Sequence, residues 1–432
     1  MESTLSPTNS VRRHGRNISH PMPRRSTVGP LDAADDPLAE PSPQPDSQAT
    51  SPAVSPRPGM ASRTVQSPQL PESDRARTAV LHVDLSFLLD RRLYHQVPSE
   101  GIAPGYSDSK HQPPLTCPLA ELLQGGHFRK AAETALTELL SSGPSDAERI
   151  FKLLYTRLAC LVVISRPDLA SDEAVPFTDF LTRNTPEAKD ILHLVPWELR
   201  LLLVRLQSIA TADDGRRAIM SLYALSAEVR SHVLDAKESN NSAALDAWKE
   251  RLRDLGLRVA DSLVEIGEFE TASRHLDTLV GVDPDAINSR KALLSIRIGD
   301  ITNAQQSLDK LSPGIIKDIH QALLQTAHGD FTEAVSAWKK LAEQHPNNEL
   351  LGQNLSACLL YTGRITEARD ILEGIAKETA AFPALLFNLS TVYELCTERA
   401  VERKTALSQH LAQQAPLPIS GGWEKTVTDF KL

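Results

Sequence analysis

The stretch Gly329-Asp330-Phe331-Thr332-Glu333-Ala334 is one of four related phrases in the second half of a 432-residue chain. Each phrase has a Gly, any residue, a Phe or Ile, two further residues and then an Ala. The other three copies begin at Gly267, Gly299 and Gly363, so successive phrases are separated by 32, 30 and 34 residues. A nearly constant step of this length indicates a row of similar structural units rather than one compact core.

The period and the flanking residues favour tetratricopeptide helical hairpins, whose repeat is about 34 residues long. Small residues recur where the two helices of a hairpin would cross, and larger apolar residues recur where hairpins would meet. The predicted packing positions are Ala260, Phe269, Ala272, Ala292, Ala304, Ala322, Phe331, Ala334, Trp338 and Ala368. Such hairpins cannot bury their apolar faces alone, so we expect an all-α protein, an α-solenoid whose surface binds other proteins.

Irregular copies of the unit flank the row. Near the start, Gly126-His127-Phe128 with Ala131 resembles a degenerate phrase. At the other end, Ala384–Cys396 matches the first helix of a fifth unit, but Thr397 stands where the phrase Gly is expected. An atypical last unit is typical of a capping helix.

Composition divides the chain into four predicted parts. Residues 1–79 hold 13 of the 29 prolines and no Phe, Trp or Tyr, so we predict a disordered arm. Residues 80–235 are predicted to form the helical N-terminal part of the solenoid, with degenerate repeats, although residues 80–110 fit a strand as well as a helix. Residues 242–413 are predicted to form the repeats and the capping helix, and residues 414–432 a flexible tail.

Local signals place some boundaries in the N-terminal part. Ser145 followed by Glu148 is typical of a capping box and predicts a helix start. Further helices are predicted over 196–209 and 216–234, and the polar residues 235–241 fit an exposed loop. In the arm, five Ser-Pro pairs are either sites of proline-directed phosphorylation or a result of the Ser- and Pro-rich composition, and the sequence leaves both open.

Charge and composition exclude several classes of protein. The formal net charge is −9 and the acidic excess lies beyond residue 78, whereas nucleic-acid binding needs clustered Lys and Arg. The four cysteines form no C-x-x-C pair, which favours reduced thiols in a cytosolic protein. The longest apolar run, 158–164, is too short for a membrane span. The first 30 residues contain one acid, as in mitochondrial transit peptides, but their four prolines oppose an amphipathic helix.

No catalytic arrangement stands out. Phosphate-loop, nucleophile-elbow and zinc-helix motifs are not found in the sequence. His320 and His328 lie eight residues apart, but two candidate ligands without a third are a weak metal signal, and Asp213-Asp214 before a Gly suits a turn. The sequence therefore predicts no catalytic residues, no cofactor and no metal, and a protein that is not an enzyme.

One binding mode of repeat proteins is disfavoured by the residues themselves. Some of these proteins hold the C-terminal carboxylate of chaperone clients with Lys and Asn on their first helices. The corresponding positions here are Leu257, Asp261 and Ser289, and none of them can hold a carboxylate.

Two further stretches carry a family resemblance. Pro196-Trp197-Glu198-Leu199-Arg200 precedes the repeats, and a C-terminal phrase closes them. Together with the layout of residues 80–412, they resemble the TRAPP (transport protein particle) subunit twelve family. The residues of the C-terminal phrase on which the resemblance rests are Phe387, Asn388, Leu389, Tyr393, Glu394 and Leu395.

The resemblance implies a non-catalytic scaffold subunit of a TRAPP III-type complex, which tethers vesicles and exchanges guanine nucleotides on a Rab1-type GTPase. Implied partners are the other TRAPP subunits and, through them, the GTPase, with no nucleic acid. The implied location is cytoplasmic, peripherally associated with ER–Golgi intermediate and Golgi membranes, in ER-to-Golgi transport and autophagy. The alternative from the repeats alone is an unrelated tetratricopeptide adaptor, linked to chaperones or to the cytoskeleton.

Overall fold

The structure is a computed structural model that describes eight stretches of the chain: residues 84–98, 111–114, 116–183, 185–210, 215–346, 348–379, 382–396 and 398–414. Within these stretches the chain forms 17 α-helices and no β-strand. The all-α prediction is therefore confirmed. The predicted arm, 1–79, and nearly all of the predicted tail, 415–432, lie outside the described residues.

The N-terminal part contains seven α-helices, each packed against its neighbours in sequence or one helix further on. They are α1 Leu119–Gln124, α2 Phe128–Leu140, α3 Ala147–Val163, α4 Pro167–Thr182, α5 Pro186–Leu192, α6 Trp197–Ala210 and α7 Arg216–Glu238. Helices α2, α3, α4 and α6 surround one large apolar core, which includes the stacked rings of Phe151 and Phe177.

The repeat part consists of five successive hairpins. Their helices are α8 Ser242–Glu265, α9 Phe269–Thr278, α10 Pro284–Ile298, α11 Ile301–Asp309, α12 Ile315–His328, α13 Phe331–Gln344, α14 Glu349–Tyr361, α15 Ile365–Glu378, α16 Pro383–Cys396 and α17 Ala400–Ala412. In each hairpin the first helix packs against the second, and the second packs against the first helix of the next hairpin. The tetratricopeptide-type solenoid is thus present as expected.

The entry segment, residues 84–98, is neither a strand nor an α-helix. It forms two short 3-10 helices, Ser86–Leu89 and Arg91–Leu93, followed by extended backbone. The side chain of Asp84 accepts a hydrogen bond from the backbone N–H of Ser86 at 2.9 Å, and that of Asp90 accepts one from Arg92 at 3.0 Å. These local side-chain bonds favour tight turns over a longer helix.

A buried ion pair fastens this entry segment to the helices beneath it. The Arg157 guanidinium donates to both carboxylate oxygens of Glu173, at 3.0 and 2.7 Å, and to the carbonyl of His95 at 2.7 Å. Glu173 in turn accepts the backbone N–H of His95 at 2.9 Å. The pair therefore satisfies both backbone groups of one residue while anchoring α3 to α4.

Two predicted boundaries are wrong. Helix α3 is capped by Asp146, whose side chain accepts the N–H of Arg149 at 3.2 Å, and not by Ser145. The carboxylate one residue later offers the same oxygen acceptor with a negative charge that suits a helix N-terminus. Helix α7 continues to Glu238 through residues expected to form a loop, because α8 packs along it and its polar residues face outward.

Candidate interaction surface

In each of the first four hairpins, the phrase Gly makes the turn between the two helices. All four, Gly267, Gly299, Gly329 and Gly363, have φ between 76° and 94°. This left-handed backbone is open to Gly and strained for other residues. In three of the phrases the next residue donates its N–H to the carbonyl five positions earlier, at 2.9 Å each, which closes the first helix.

Gly126 near the start of the chain has the same turn. Its φ is 75°, and the N–H of His127 reaches the carbonyl of Leu122 at 2.9 Å. The phrase residue Ala131 is fully buried on α2, against α1 and the large core. The geometry of this α1–α2 hairpin supports our proposal that it is a degenerate copy of the unit.

The small residues of the phrase lie inside the hairpins. The side chains of Ala272, Ala304, Ala334 and Ala368 are wholly inaccessible to solvent. On the first helices Ala260, Ala292 and Ala322 are at most 2% exposed. Trp338 is also fully buried, and its indole N–H donates to the Thr326 hydroxyl at 3.1 Å. Phe269 and Phe331 differ from these residues, since both are half-buried at the joint to the next hairpin.

A row of polar contacts connects the first helices of the five hairpins. We call the helices α8, α10, α12, α14 and α16 with these contacts the first-helix row. One contact joins each successive pair of helices. In order they are Arg290 Nε to Asp261 Oδ1 at 3.5 Å, Ser289 Oγ to His320 Nε2 at 3.5 Å, Thr326 Oγ1 to Cys358 Sγ at 3.5 Å, and Asn388 Nδ2 to Gln353 Oε1 at 3.4 Å.

The chemistry of the row is largely neutral. Two residues at carboxylate-clamp positions are engaged within the protein, Asp261 with Arg290 and Ser289 with His320. Burial lowers the pKa of His320, which favours the uncharged imidazole. Among the described residues, His320 Nδ1 and Gln353 Nε2 are buried without a hydrogen-bond partner. His320, Gln353 and Cys358 are at most 3% exposed, so these contacts hold successive first helices together and do not form a site for a free carboxylate.

The two candidate metal ligands do not converge. His320 is buried on α12, whereas His328 is exposed at the end of the same helix, with Nε2 3.8 Å from Asp330 Oδ2. Among the described residues no group of three or more His, Cys, Asp or Glu side chains could hold a metal ion. In the same part of the chain no helix is long and apolar enough to cross a membrane.

The C-terminal phrase lies on α16, and its residues divide into two sets. Leu389 and Tyr393 are buried, and the Tyr393 hydroxyl donates to Glu373 Oε1 at 3.0 Å. Burial, together with the negative charge of Glu373, raises the pKa of Tyr393. Phe387 and Leu395 are 45% and 60% exposed.

The polar members of the phrase connect α16 to its neighbours. Asn388 contacts α14 through Gln353. Glu394 accepts a hydrogen bond from the largely buried ammonium of Lys404 on α17 at 2.5 Å. The phrase thus both closes the last hairpin and presents side chains to solvent.

The stretch before the repeats contributes to a second surface, which the sequence did not reveal as a whole. Trp197 and Arg200 on α6 lie beside Trp248 and Arg251 on α8 and His232 on α7. We call these five residues the aromatic–arginine cluster. The two indole rings are perpendicular, with centroids 6.4 Å apart, and the His232 ring stacks on Trp248 at 4.5 Å. The sequence feature that could have pointed to this cluster is a Trp followed three residues later by an Arg, which occurs on both α6 and α8.

Comparison with known proteins agrees with this architecture. The model of a tetratricopeptide-repeat family matches residues 325–388, which lie in the third to fifth hairpins. Solved structures that match part of this chain include a tetratricopeptide repeat protein from Parabacteroides merdae, with 16% identity and a TM-score of 0.36 over 60% of this chain and 93% of that one. An assembly chaperone of RpL4 has 18% identity and a TM-score of 0.28 over 67% and 96% of the two chains.

Two curated relatives are trafficking proteins. The human trafficking protein particle complex subunit 12 is 24% identical over 245 residues, which is 53% of this chain and 31% of the relative. The mouse protein of the same name is 23% identical over 247 residues, 54% of this chain and 29% of the relative. The match thus spans less than a third of each relative, and the resemblance inferred from the two sequence stretches is confirmed. Over about half of its length the chain is similar to subunit 12 of the trafficking protein particle complex, and its residues 325–388 match the tetratricopeptide-repeat model.

Proposed function

We propose that the chain is a non-catalytic scaffold subunit of a TRAPP III-type complex, which tethers vesicles and promotes guanine-nucleotide exchange on a Rab GTPase. The observation that carries this proposal is the similarity to subunit 12 over 245 residues. A stack of hairpins supports it physically, because each hairpin adds surface to one continuous array that can hold several partners. The proposed processes are ER-to-Golgi transport and autophagy.

The proposed partners are the other subunits of the particle, and through them a Rab1-type GTPase. The stacked first helices supply one suitable surface, because successive hairpins present them as one extended face. The exposed Phe387 and Leu395 add apolar contact area at the last hairpin. We place the chain in the cytoplasm, held at Golgi and intermediate-compartment membranes through the complex.

Purification of the tagged full-length chain from its own cells tests the assignment. We expect the other particle subunits to co-purify in fixed proportion. Recovery of chaperones or cytoskeletal proteins without any particle subunit would contradict the proposal and favour an unrelated repeat adaptor. A double variant, Phe387→Ala with Leu395→Ala, is expected to weaken the association, and Met220→Ala with Val280→Ala, which removes two exposed apolar side chains elsewhere, is its matched control.

A nucleotide-exchange assay tests the scaffold role separately. The purified chain alone is expected to leave the release of labelled GDP from a Rab1-type GTPase unchanged. Addition of the chain to the other particle subunits is expected to alter exchange through assembly of the complex. Strong exchange by the isolated chain would overturn the scaffold assignment without affecting membership of the complex.

A further inference from the structure

The aromatic–arginine cluster lies on α6, α7 and α8, outside the residues matched by the repeat model. Trp197, Trp248 and Arg251 are half-buried, so their rings and guanidinium form a surface that is partly shielded from water. Trp and Arg are, with Tyr, the residues enriched at the energetic centres of protein interfaces.

One arginine of the cluster already has a carboxylate partner. Arg200 donates to both oxygens of Glu228, at 2.7 and 2.6 Å. Glu228 Oε1 also lies 3.7 Å from His232 Nε2, so this carboxylate contacts two members of the cluster, Arg200 and His232. Burial alone would raise the pKa of Glu228, but the hydrogen bonds and charge of Arg200 hold that pKa below its ordinary value. This network fixes α6 and α7 relative to each other.

Arg251 is held differently. Its guanidinium carbon lies 5.1 Å from the centroid of the Trp197 ring and 4.6 Å from that of Trp248. The positively charged guanidinium thus lies against both of the perpendicular indole rings. Glu198 acts on it electrostatically, but within the described part of the chain Arg251 forms no hydrogen bond and no ion pair. A guanidinium has five N–H donors in a planar fork that matches a carboxylate.

We propose that the aromatic–arginine cluster is a docking site for a segment of a partner protein that presents one Asp or Glu carboxylate among apolar residues, with that carboxylate bound by the fork of Arg251. The two indoles pre-organise the guanidinium, which lowers the entropic cost of binding. Their exposed edges provide apolar contact for the residues next to the carboxylate. The proposal does not depend on which assembly the chain joins.

The surrounding charges favour a protein carboxylate over a phosphate. Glu228 and Asp235 flank His232, and Glu198 lies near Arg251. These three carboxylates exceed the two guanidinium charges of Arg200 and Arg251 by one, so the cluster repels a ligand that carries several negative charges. A doubly charged phosphate or a nucleic-acid backbone would meet more of this repulsion at the one available guanidinium than a single carboxylate flanked by apolar residues.

Site-specific photo-crosslinking of the full-length chain in its own cells tests the proposal. A benzophenone side chain replaces Asp235, which is exposed on α7 beside His232. We expect a cross-link to a segment that carries an Asp or Glu next to apolar residues, identified by mass spectrometry. Arg251→Glu is expected to reduce the yield about tenfold or more, because the opposed charges then repel. Reversal of the acidic residues of the identified segment to Lys is expected to restore the cross-link to the Arg251→Glu chain.

Two controls keep the outcome interpretable. Arg258→Glu makes the same charge change at an exposed residue of α8, where Arg258 pairs with Asp254 of its own helix, and it should leave the yield unchanged. Arg251→Gln replaces Arg251→Glu if the latter melts at a lower temperature than the parent chain. A cross-link to a non-acidic segment, to nucleic acid or to lipid, a yield insensitive to Arg251, or no cross-link would each overturn the proposal.

Discussion

Tyr361 stacks on Phe331 with ring centroids 4.5 Å apart and an angle of 7° between the ring planes. Phe331 opens the second helix of the third hairpin, and Tyr361 ends the first helix of the fourth. Arg297 lies over Phe269 in the corresponding place between the first and second hairpins, 5.4 Å from the ring centroid. The phrase therefore specifies the joint to the next hairpin as well as the turn within its own.

A double-mutant cycle at this joint measures the contact. Tyr361 is 70% exposed, so truncating it removes little buried area. The loss of ring stacking therefore dominates the change in the free energy of unfolding. We expect Phe331→Leu and Tyr361→Ala to couple by about 0.5–1.5 kcal/mol in the free energy of unfolding, measured with urea. The pair Phe151→Leu and Tyr361→Ala, whose residues lie on α3 and α14, should be additive. Full additivity at Phe331 and Tyr361 would contradict the stacked joint.

The turn glycines and a helical glycine should respond oppositely to the same substitution. Added Cβ atoms at Gly329 and Gly374 would both meet open space, so backbone conformation alone distinguishes the two sites. Gly329→Ala should destabilise by about 1–2 kcal/mol because φ is 94° there. Gly374→Ala, within α15, should stabilise by about 0.5–1 kcal/mol. Thermal melting with both variants checks the signs, and equal shifts would refute the assigned turn.

Overfilling the crossing point of a hairpin tests the proposed packing role of the phrase alanines. Ala334→Leu is expected to cost about 1–3 kcal/mol, since the Ala side chain is fully buried. Ser336→Leu adds a similar apolar side chain to the exposed face of the same helix and should change stability by less than about 0.5 kcal/mol. If both variants melt as the parent chain does, the register of the third hairpin is wrong.

The buried imidazole in the first-helix row predicts a dependence of stability on pH. Because burial lowers the pKa of His320, protonation favours the unfolded chain, where the pKa is near 6.5. Its contribution is thus fully present above about pH 6.5 and is lost as the pH falls below that value. The difference in unfolding free energy between the parent chain and His320→Gln should shrink from pH 7.5 to pH 5.5. His328→Gln, on the exposed end of the same helix, is the matched control, and a pH-independent difference for His320 would contradict the prediction.

The hairpins could be predicted from sequence because local constraints repeat. A Gly that must adopt positive φ and an Ala that must fit a helix crossing recur at fixed spacing, so each copy supports the others. The end of α7 could not be predicted in this way. Its last turn is polar, and residues 235–238 are helical because α8 packs antiparallel along α7 and not because of their own pattern.

The candidate surfaces were predictable to different degrees. Trp197 and Arg200 stood in a stretch that carried the family resemblance, and both belong to the aromatic–arginine cluster. Trp248 and Arg251, about 50 residues later, could not be joined to them, because one sequence does not show which helix faces meet. The four pairs of the first-helix row likewise join residues 29 to 35 positions apart, and they form one continuous row only when the hairpins stack.

The ion pair beneath the entry segment supports the last prediction. Arg157→Met should destabilise the chain by about 3–5 kcal/mol, because the Glu173 carboxylate would stay buried without its cation. The carbonyls of His95 and Ala132 would lose their donors as well. A combined Arg157→Met and Glu173→Leu variant should be less unstable than the single one, since no charge is then left unpaired. Arg92→Met, which breaks an exposed pair on the entry segment, should melt as the parent chain does. If Arg157→Met matched Arg92→Met in stability, and proteolysis of residues 84–98 stayed unchanged, the pair would have no role in holding that segment.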